Sequence, residues 1–251
     1  MPDGKGIPND GRIGWTCGMS EAGKICVVVP GYQEEGRIGK VVRDIRAYAS
    51  DVLVVDDGSR DRTGEEARAG GAIVLRHETN KGKGAALATG LSFAAAHGYE
   101  CVITMDADGQ HAASDIPAFV ETYRRTGTPV LVGNRMGHAD GMPLVRRWTN
   151  RFMSWLLSRH IGQRVPDTQN GFRLYRCDVL PPPRAGSEGF AAESEILLQL
   201  GLAGVTIGAV PTKTIYGDEK SKISPVADTL RFFRMLRRWT REHPTGSQRR
   251  R

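Results

Sequence analysis

Asp106 and Asp108 stand two positions apart at the end of an apolar run, Cys101–Met105, and are followed by Gln110 and His111. Carboxylates so spaced across a strand-to-loop junction can turn one side chain into a crevice while the other reaches a hard cation. Mg²⁺ or Mn²⁺ binds one or two carboxylates together with substrate phosphates, rather than needing a closed protein cage. A cation held there would neutralise the charge that develops on a departing nucleotide diphosphate. An Asp-x-Asp can also be an ordinary turn, so the meaning of the pair depends on what else the chain brings to the same edge. A second acidic cluster, Asp56-Asp57-Gly58-Ser59, ends the run Val52–Val55, and Pro30-Gly31 ends Ile25–Val29.

Asn80-Lys81-Gly82-Lys83-Gly84 is a Gly-rich basic loop opening a helix-like segment. Backbone amides at a helix N-terminus with lysines beside them suit a phosphate. The loop lacks the P-loop spacing, and no Gly-x-Gly-x-x-Gly follows the first apolar run, so a dinucleotide redox fold is disfavoured.

These groups need a frame, and the chain supplies one. Strand candidates at Ile25–Val29, Val52–Val55, Ala72–Leu75, Cys101–Met105 and Val130–Val132 alternate with helix candidates at Arg37–Ala49, Asp61–Ala69, Lys83–His97 and Ser114–Arg125. The alternation predicts an α/β fold, a mostly parallel sheet flanked by helices. In an open sheet of this kind ligands bind beyond the carboxyl ends of the strands, where the acidic and Gly-rich turns lie. Beyond Gly133 the pattern changes to a helical extension. Leu144, Trp148, Phe152, Trp155 and Leu156 are expected on one apolar face, with Arg146, Arg147 and Arg151 on the other. A helix near Glu193–Leu202 and a strand near Val205–Val210 follow. A last helix opens at Ser224-Pro225, with Phe232, Phe233, Met235, Leu236 and Trp239 on one arc and Arg231, Arg234, Arg237, Arg238 and Arg241 opposite.

The 251 residues are 39% hydrophobic and 25% charged, the balance of an ordinary globular protein. The net charge of +7 favours anionic partners. Nucleic-acid binding would explain that charge but not the ordered acidic strand ends. Four cysteines without a Cys-x-x-Cys pair suggest neither a zinc site nor a disulfide framework, which fits a reducing cytosol. The longest uncharged stretch, Ile196–Thr212, is too short and too Gly-rich to span a bilayer. An apolar arc opposite five arginines gives the last helix the pattern of one lying in an anionic membrane surface, against the alternative of a helix packed on the core.

Taken in order, Val54–Ser59, Asn80–Gly84, Met105–Asp108 with Gln110-His111, and Asp167-Thr168-Gln169-Asn170-Gly171-Phe172-Arg173 resemble family-2 glycosyltransferases, in particular the dolichyl- or polyprenyl-phosphate sugar transferases. The resemblance spans residues 24–217. It implies a GT-A fold, with residues 1–23 a disordered leader, 218–242 an acceptor loop and basic helix, and 243–251 a disordered tail. It implies an inverting transfer from a nucleotide diphosphate-sugar, GDP-mannose or a UDP-sugar, to a polyprenyl phosphate. Pro30, Tyr32, Glu34, Asp57, Lys83 and Asp106 would hold the donor, and Asp106, Asp108 and Gln110 the metal. Arg135, Arg147, Arg151, Gln169 and Arg173 would face the acceptor phosphate, with Asp108, Asp167 and Arg135 closest to the chemistry. The family's Tyr-Asn-Glu is Tyr32-Gln33-Glu34 here, and its Asp-Leu-Gln is Asp108-Gly109-Gln110. The loop 216–222 resembles the flexible acceptor-side loop of the same family.

A phosphate acceptor is already ionised near neutral pH, so it needs cations rather than a general base. Asp167 is then a positioning group, and a base only if the acceptor is a hydroxyl. The alternatives are a soluble transferase with a small hydroxyl acceptor and a non-catalytic nucleotide-sugar binder. The expected location is cytoplasmic, peripheral on the inner face of the membrane, with homo-oligomerisation left open.

Overall fold

A computed structural model describes residues 23–138, 144–182, 190–213, 215 and 225–242. The leader up to residue 22, the loop 216–222 and the tail 243–251 lie outside the described residues, as does Cys17.

Seven strands form one sheet: β1 (Ile25–Gly31), β2 (Asp51–Asp56), β3 (Ile73–Arg76), β4 (Cys101–Thr104), β5 (Val130–Asn134), β6 (Arg173–Arg176) and β7 (Ile207–Pro211). Their spatial order is β3-β2-β1-β4-β6-β5-β7. All neighbours are parallel except β6, which runs antiparallel to both β4 and β5. The helices are α1 (Ile38–Arg46), α2 (Thr63–Ala69), α3 (Lys83–Ala96), α4 (Ile116–Thr126), α5 (Leu144–Ile161), α6 (Phe190–Leu202) and α7 (Pro225–Glu242).

The continuous apolar strands follow from burial on both faces. Side chains alternate across a strand, so Cys26 and Val28 join one core with residues of α3, α5, α6 and α7. Val27 and Val29 join the other, with residues of α1, α2 and α4. Helix α3 lies so close to β1 that a Cβ on Gly90 would come within 2.3 Å of Val28 Cγ1. At that position the sheet admits only glycine.

The expected α/β architecture is what the structure has, with one addition and one correction. The addition is β6, which the sequence did not reveal because Arg173-Leu174-Tyr175-Arg176 is short and begins and ends with charge. On α5 the fold settles a facing that the pattern had not specified. Its buried side carries Asn150, Met153, Ser154, Leu157 and Ile161, whereas Val145, Trp148, Phe152 and Trp155 are exposed. The aromatic stripe read from the sequence is turned to solvent. The correction concerns α7: Phe232, Met235, Leu236 and Trp239 are buried against the core, so this arc is packing rather than a membrane-facing surface. Trp239 Nε1 donates to Glu195 Oε1 at 3.2 Å, which fixes the helix on α6.

Candidate active site

The antiparallel direction of β6 is what completes the crevice. Parallel strands β1, β2, β4 and β5 deliver their carboxyl ends to one edge of the sheet, and β6 delivers its beginning. The segment Asp167–Phe172 therefore arrives beside the loop that follows β4, with Thr104 opposite Arg173. Thr104 Oγ1 donates to the Gly171 carbonyl at 2.7 Å, and the Gly133 amide donates to the Phe172 carbonyl at 2.9 Å. A Cβ on Gly171 would meet Asp106 Oδ1 at 2.9 Å, so glycine there lets the two loops touch.

Beyond β2, Asp57 is 2% exposed and organises the Gly-rich loop. Its carboxylate accepts from the amides of Lys81 at 2.9 Å and Gly82 at 2.7 Å, and lies 2.7 Å from His77 Nδ1. Asp57, expected against the base, thus holds the loop that opens α3. Asp56 is fully buried, with Oδ1 accepting the Ser59 amide at 2.9 Å. Pro30 lies within β1, Tyr32 is 39% exposed at the rim, and Glu34 is buried beside Arg37 at 3.1 Å. Gln33 between them adopts φ 54°, a left-handed conformation that asparagine accepts more readily.

The centre of the crevice is a charge network in which Glu193 and Arg173 are buried and Lys83 and Asp106 are partly so. Lys83 Nζ lies 2.6 Å from both Asp106 Oδ1 and Glu193 Oε1, and Glu193 Oε2 lies 3.4 Å from Arg173 Nη2. Burial alone would raise the Asp106 carboxyl, but Lys83 and His111 outweigh it and hold the group down at about 2. Burial would lower the Lys83 ammonium, and Asp106 and Glu193 raise it above the ordinary lysine range instead. Glu193, in the first turn of α6, gave no sign in the sequence, where Glu-Ser-Glu on a helix resembles a solvated face.

Arg173 is 1% exposed, and its guanidinium donates to the carbonyls of Asn170, Thr168 and Glu193 and to the Tyr175 hydroxyl. In this arrangement Arg173 ties the segment 167–172 to α6 and presents no exposed donor. Arg135 grips Asp167 through two bonds, Nε to Oδ2 at 2.8 Å and Nη2 to Oδ1 at 3.0 Å, with both residues buried. Ser154 Oγ on α5 accepts the Thr168 amide at 2.9 Å, and Gln169 is half-buried near Ser194 at 3.4 Å. Arg151 is exposed on α5 and Arg147 half-exposed; the side chain of Arg146 lies outside the described residues.

Asp108 is half-buried, with Oδ1 accepting the Gln110 amide at 2.9 Å. Among the described residues no three His, Cys, Asp or Glu side chains cluster to hold a metal by themselves. Carboxylate and amide oxygens from Asp106, Asp108 and Gln110 are nevertheless the hard donors that Mg²⁺ or Mn²⁺ accepts beside phosphates. His111 fits that shell poorly: its Nδ1 accepts the Asp106 amide at 3.1 Å, so Nε2 carries the proton and has no lone pair to give. His111 instead stacks on Phe172 at 5.2 Å and fastens the loop.

The doubly covered α/β sheet is of the GT-A type, and its acidic loops lie at the switch point where such sheets bind ligands. The Glycosyl transferase family 2 model matches residues 26–181, and the chain belongs to that family as a glycosyltransferase. It is 31% identical to the UDP-N-acetylglucosamine--dolichyl-phosphate N-acetylglucosaminyltransferase of Methanococcus voltae, over 76% of this chain and 86% of that one. The undecaprenyl-phosphate mannosyltransferase of Micrococcus luteus is 30% identical over 75% and 82%, and the dolichyl-phosphate hexose transferase of Haloferax volcanii 31% over 81% and 88%. Among solved structures, glucosyl-3-phosphoglycerate synthase from Mycobacterium tuberculosis with UDP superposes with TM-score 0.67 at 22% identity, covering 85% of this chain and 79% of that one. The same enzyme has been crystallised with Mn²⁺, UDP-glucose and phosphoglyceric acid. That likeness concerns the fold.

Proposed function

We propose that this protein moves a sugar from a nucleotide diphosphate-sugar to a polyprenyl phosphate, with Mg²⁺ or Mn²⁺, while lying peripherally on the inner face of the membrane. The observation that carries the acceptor assignment is the state of Asp167. It is 0% exposed, and both its oxygens are bound by the Arg135 guanidinium. A hydroxyl acceptor needs a base within reach of its proton, and a carboxylate clamped in this way is a poor one. A phosphate acceptor needs no base, only cations to orient it. The three relatives named above, each with an isoprenoid-phosphate acceptor in its name, support the same choice.

In this assignment Tyr32, Glu34 and the loop held by Asp57 receive the nucleoside, and Lys83 serves the phosphates. Asp106, Asp108 and Gln110 would hold the cation, whose contribution is to neutralise the leaving diphosphate. Arg135, oriented by Asp167, and Arg147 and Arg151 of α5 orient the acceptor phosphate for attack. Arg173 fixes the segment beside it.

The test is transfer of radiolabelled sugar from GDP-mannose, UDP-glucose and UDP-N-acetylglucosamine to a short polyprenyl phosphate, with either metal. Label entering the organic phase from one donor, and lost with EDTA or in Asp108→Ala, is the expected result. Nucleotide binding without any such transfer would overturn the acceptor and point to a small hydroxyl compound.

A further inference from the structure

Among the described residues no helix is long and apolar enough to cross a membrane, and the apolar arc of α7 is buried in the core. The surface that does meet solvent with large apolar groups is on α5. Val145 is 74% exposed, Trp148 72%, Phe152 49% and Trp155 57%. Their 3-4-3 spacing puts them in one stripe along the helix. The Phe152 ring lies 6.0 Å from Trp155 and 6.4 Å from Phe233, so the patch continues onto α7.

We infer that this α5 face, with Phe233, is where the protein docks on an anionic lipid surface. Charge argues for that occupant. The 18 residues of α5 include no Asp or Glu, and Arg159 is exposed along it. On α7, Arg234, Arg237 and Arg241 are exposed as well. Tryptophan and phenylalanine flanked by arginines are the composition of an interfacial helix, with rings in the headgroup boundary and guanidinium groups on lipid phosphates. A second copy of the chain is the weaker occupant, because a two-fold interface pairs a patch with itself and would bring the two basic rims together.

The position of the face gives it a purpose. On its inner side α5 carries Ser154, which binds Thr168 in the acceptor-side segment, and Asn150 and Met153 are buried there too. A membrane on the outer side would lie about one helix diameter, roughly 10 Å, from the segment proposed to receive the acceptor phosphate. The inference rests on the polyprenyl-phosphate acceptor for its purpose, but not for its test.

The full chain is mixed with vesicles of phosphatidylcholine, with and without phosphatidylglycerol, and sedimented. Wild type is expected to bind the anionic vesicles with a blue shift of tryptophan fluorescence and quenching by brominated lipid. Trp148→Ala/Phe152→Ala/Trp155→Ala should bind at least about tenfold more weakly, while retaining transfer to a short polyprenyl phosphate in solution and losing it to a long-chain acceptor in vesicles. Should the triple variant fold poorly, Trp148→Ala alone and the quenching of wild type carry the test. Docking that is lost in the variant, with no polyprenyl phosphate used by wild type, would sustain the face and overturn the acceptor. Transfer to the soluble acceptor without vesicle binding, or equal binding by the variant, would overturn the face. So would a dimer that the variant converts to monomer with vesicle binding unchanged.

Discussion

Asp167 offers the sharpest separation of a positioning residue from a base. Its carboxylate accepts two guanidinium bonds at 2.8 and 3.0 Å and the Arg135 amide at 3.3 Å, in a place from which water is excluded. Removing one member of such a buried pair costs about 3–5 kcal/mol, because the remaining charge loses its counter-ion in a medium of low polarity. For a chain of this length each kcal/mol lowers Tm by about 2–4 °C, so Asp167→Ala should lower it by roughly 6–20 °C. Replacing both partners, as in Arg135→Met/Asp167→Leu, removes both charges together and should cost less than either single change. Urea unfolding of the four species gives the coupling directly. Kinetics supply the second readout. Asp167→Asn keeps the shape but turns an N–H toward a guanidinium N–H, which should raise KM for the acceptor and move the pH-rate profile little. A general base would instead lose about 10²–10⁴ in kcat. A stability loss below about 1 kcal/mol, with additive single effects, would refute the buried clamp and return Asp167 to the candidates for a base.

Two other perturbations probe the loops after β1 and β4. Lys83→Met removes the ammonium between Asp106 and Glu193; the Asp106 carboxyl lies at about 2 in the folded protein. A depressed carboxyl stabilises the fold above its unfolded value of about 3.9 and ceases to do so as pH falls through its folded value. The wild-type advantage over Lys83→Met from this source, at most about 2 kcal/mol because a fifth of the Asp106 side chain meets water, should therefore be present at pH 6 and shrink toward pH 2–3. Urea midpoints that diverge further in acid would contradict it. Gln33 holds φ 54° with its amide on Ser59 Oγ at 3.0 Å, so the left-handed turn is fixed by the fold. Gln33→Asn should stabilise by about 0.5–1 kcal/mol, read as a higher Tm, and a lower Tm would mean that the Gln33 side chain has contacts that outweigh its backbone strain.

Much of the site was legible in the sequence because it lies in short runs. Asp56-Asp57-Gly58, Asn80–Gly84, Asp106–Asp108 and Asp167–Arg173 each combine a strand end or helix start with charge, and their order on the chain suggested a common crevice. The parallel strands β1, β2, β4 and β5 were legible too, because burial on both faces demands a continuous apolar run, and β3 showed as a short apolar run although it lies at the sheet edge. The hold of Asp57 on the Gly-rich loop, the network of Lys83 with Glu193, and the clamp of Arg135 on Asp167 were not. They join residues 25, 110 and 32 positions apart, and nothing local in sequence encodes such separations.

The sequence by itself determined the alternation of strands and helices, the amphipathic character of α5 and α7, and the residue types at the crevice. Those features come from local periodicity and turn chemistry. Tertiary structure decided direction and facing. It ran β6 against its neighbours, which brought Asp167–Phe172 to the acidic edge. It also turned the apolar arc of α7 inward and the aromatic stripe of α5 outward. A helical pattern says that one face is apolar; only the neighbouring elements determine which faces the folded chain can cover.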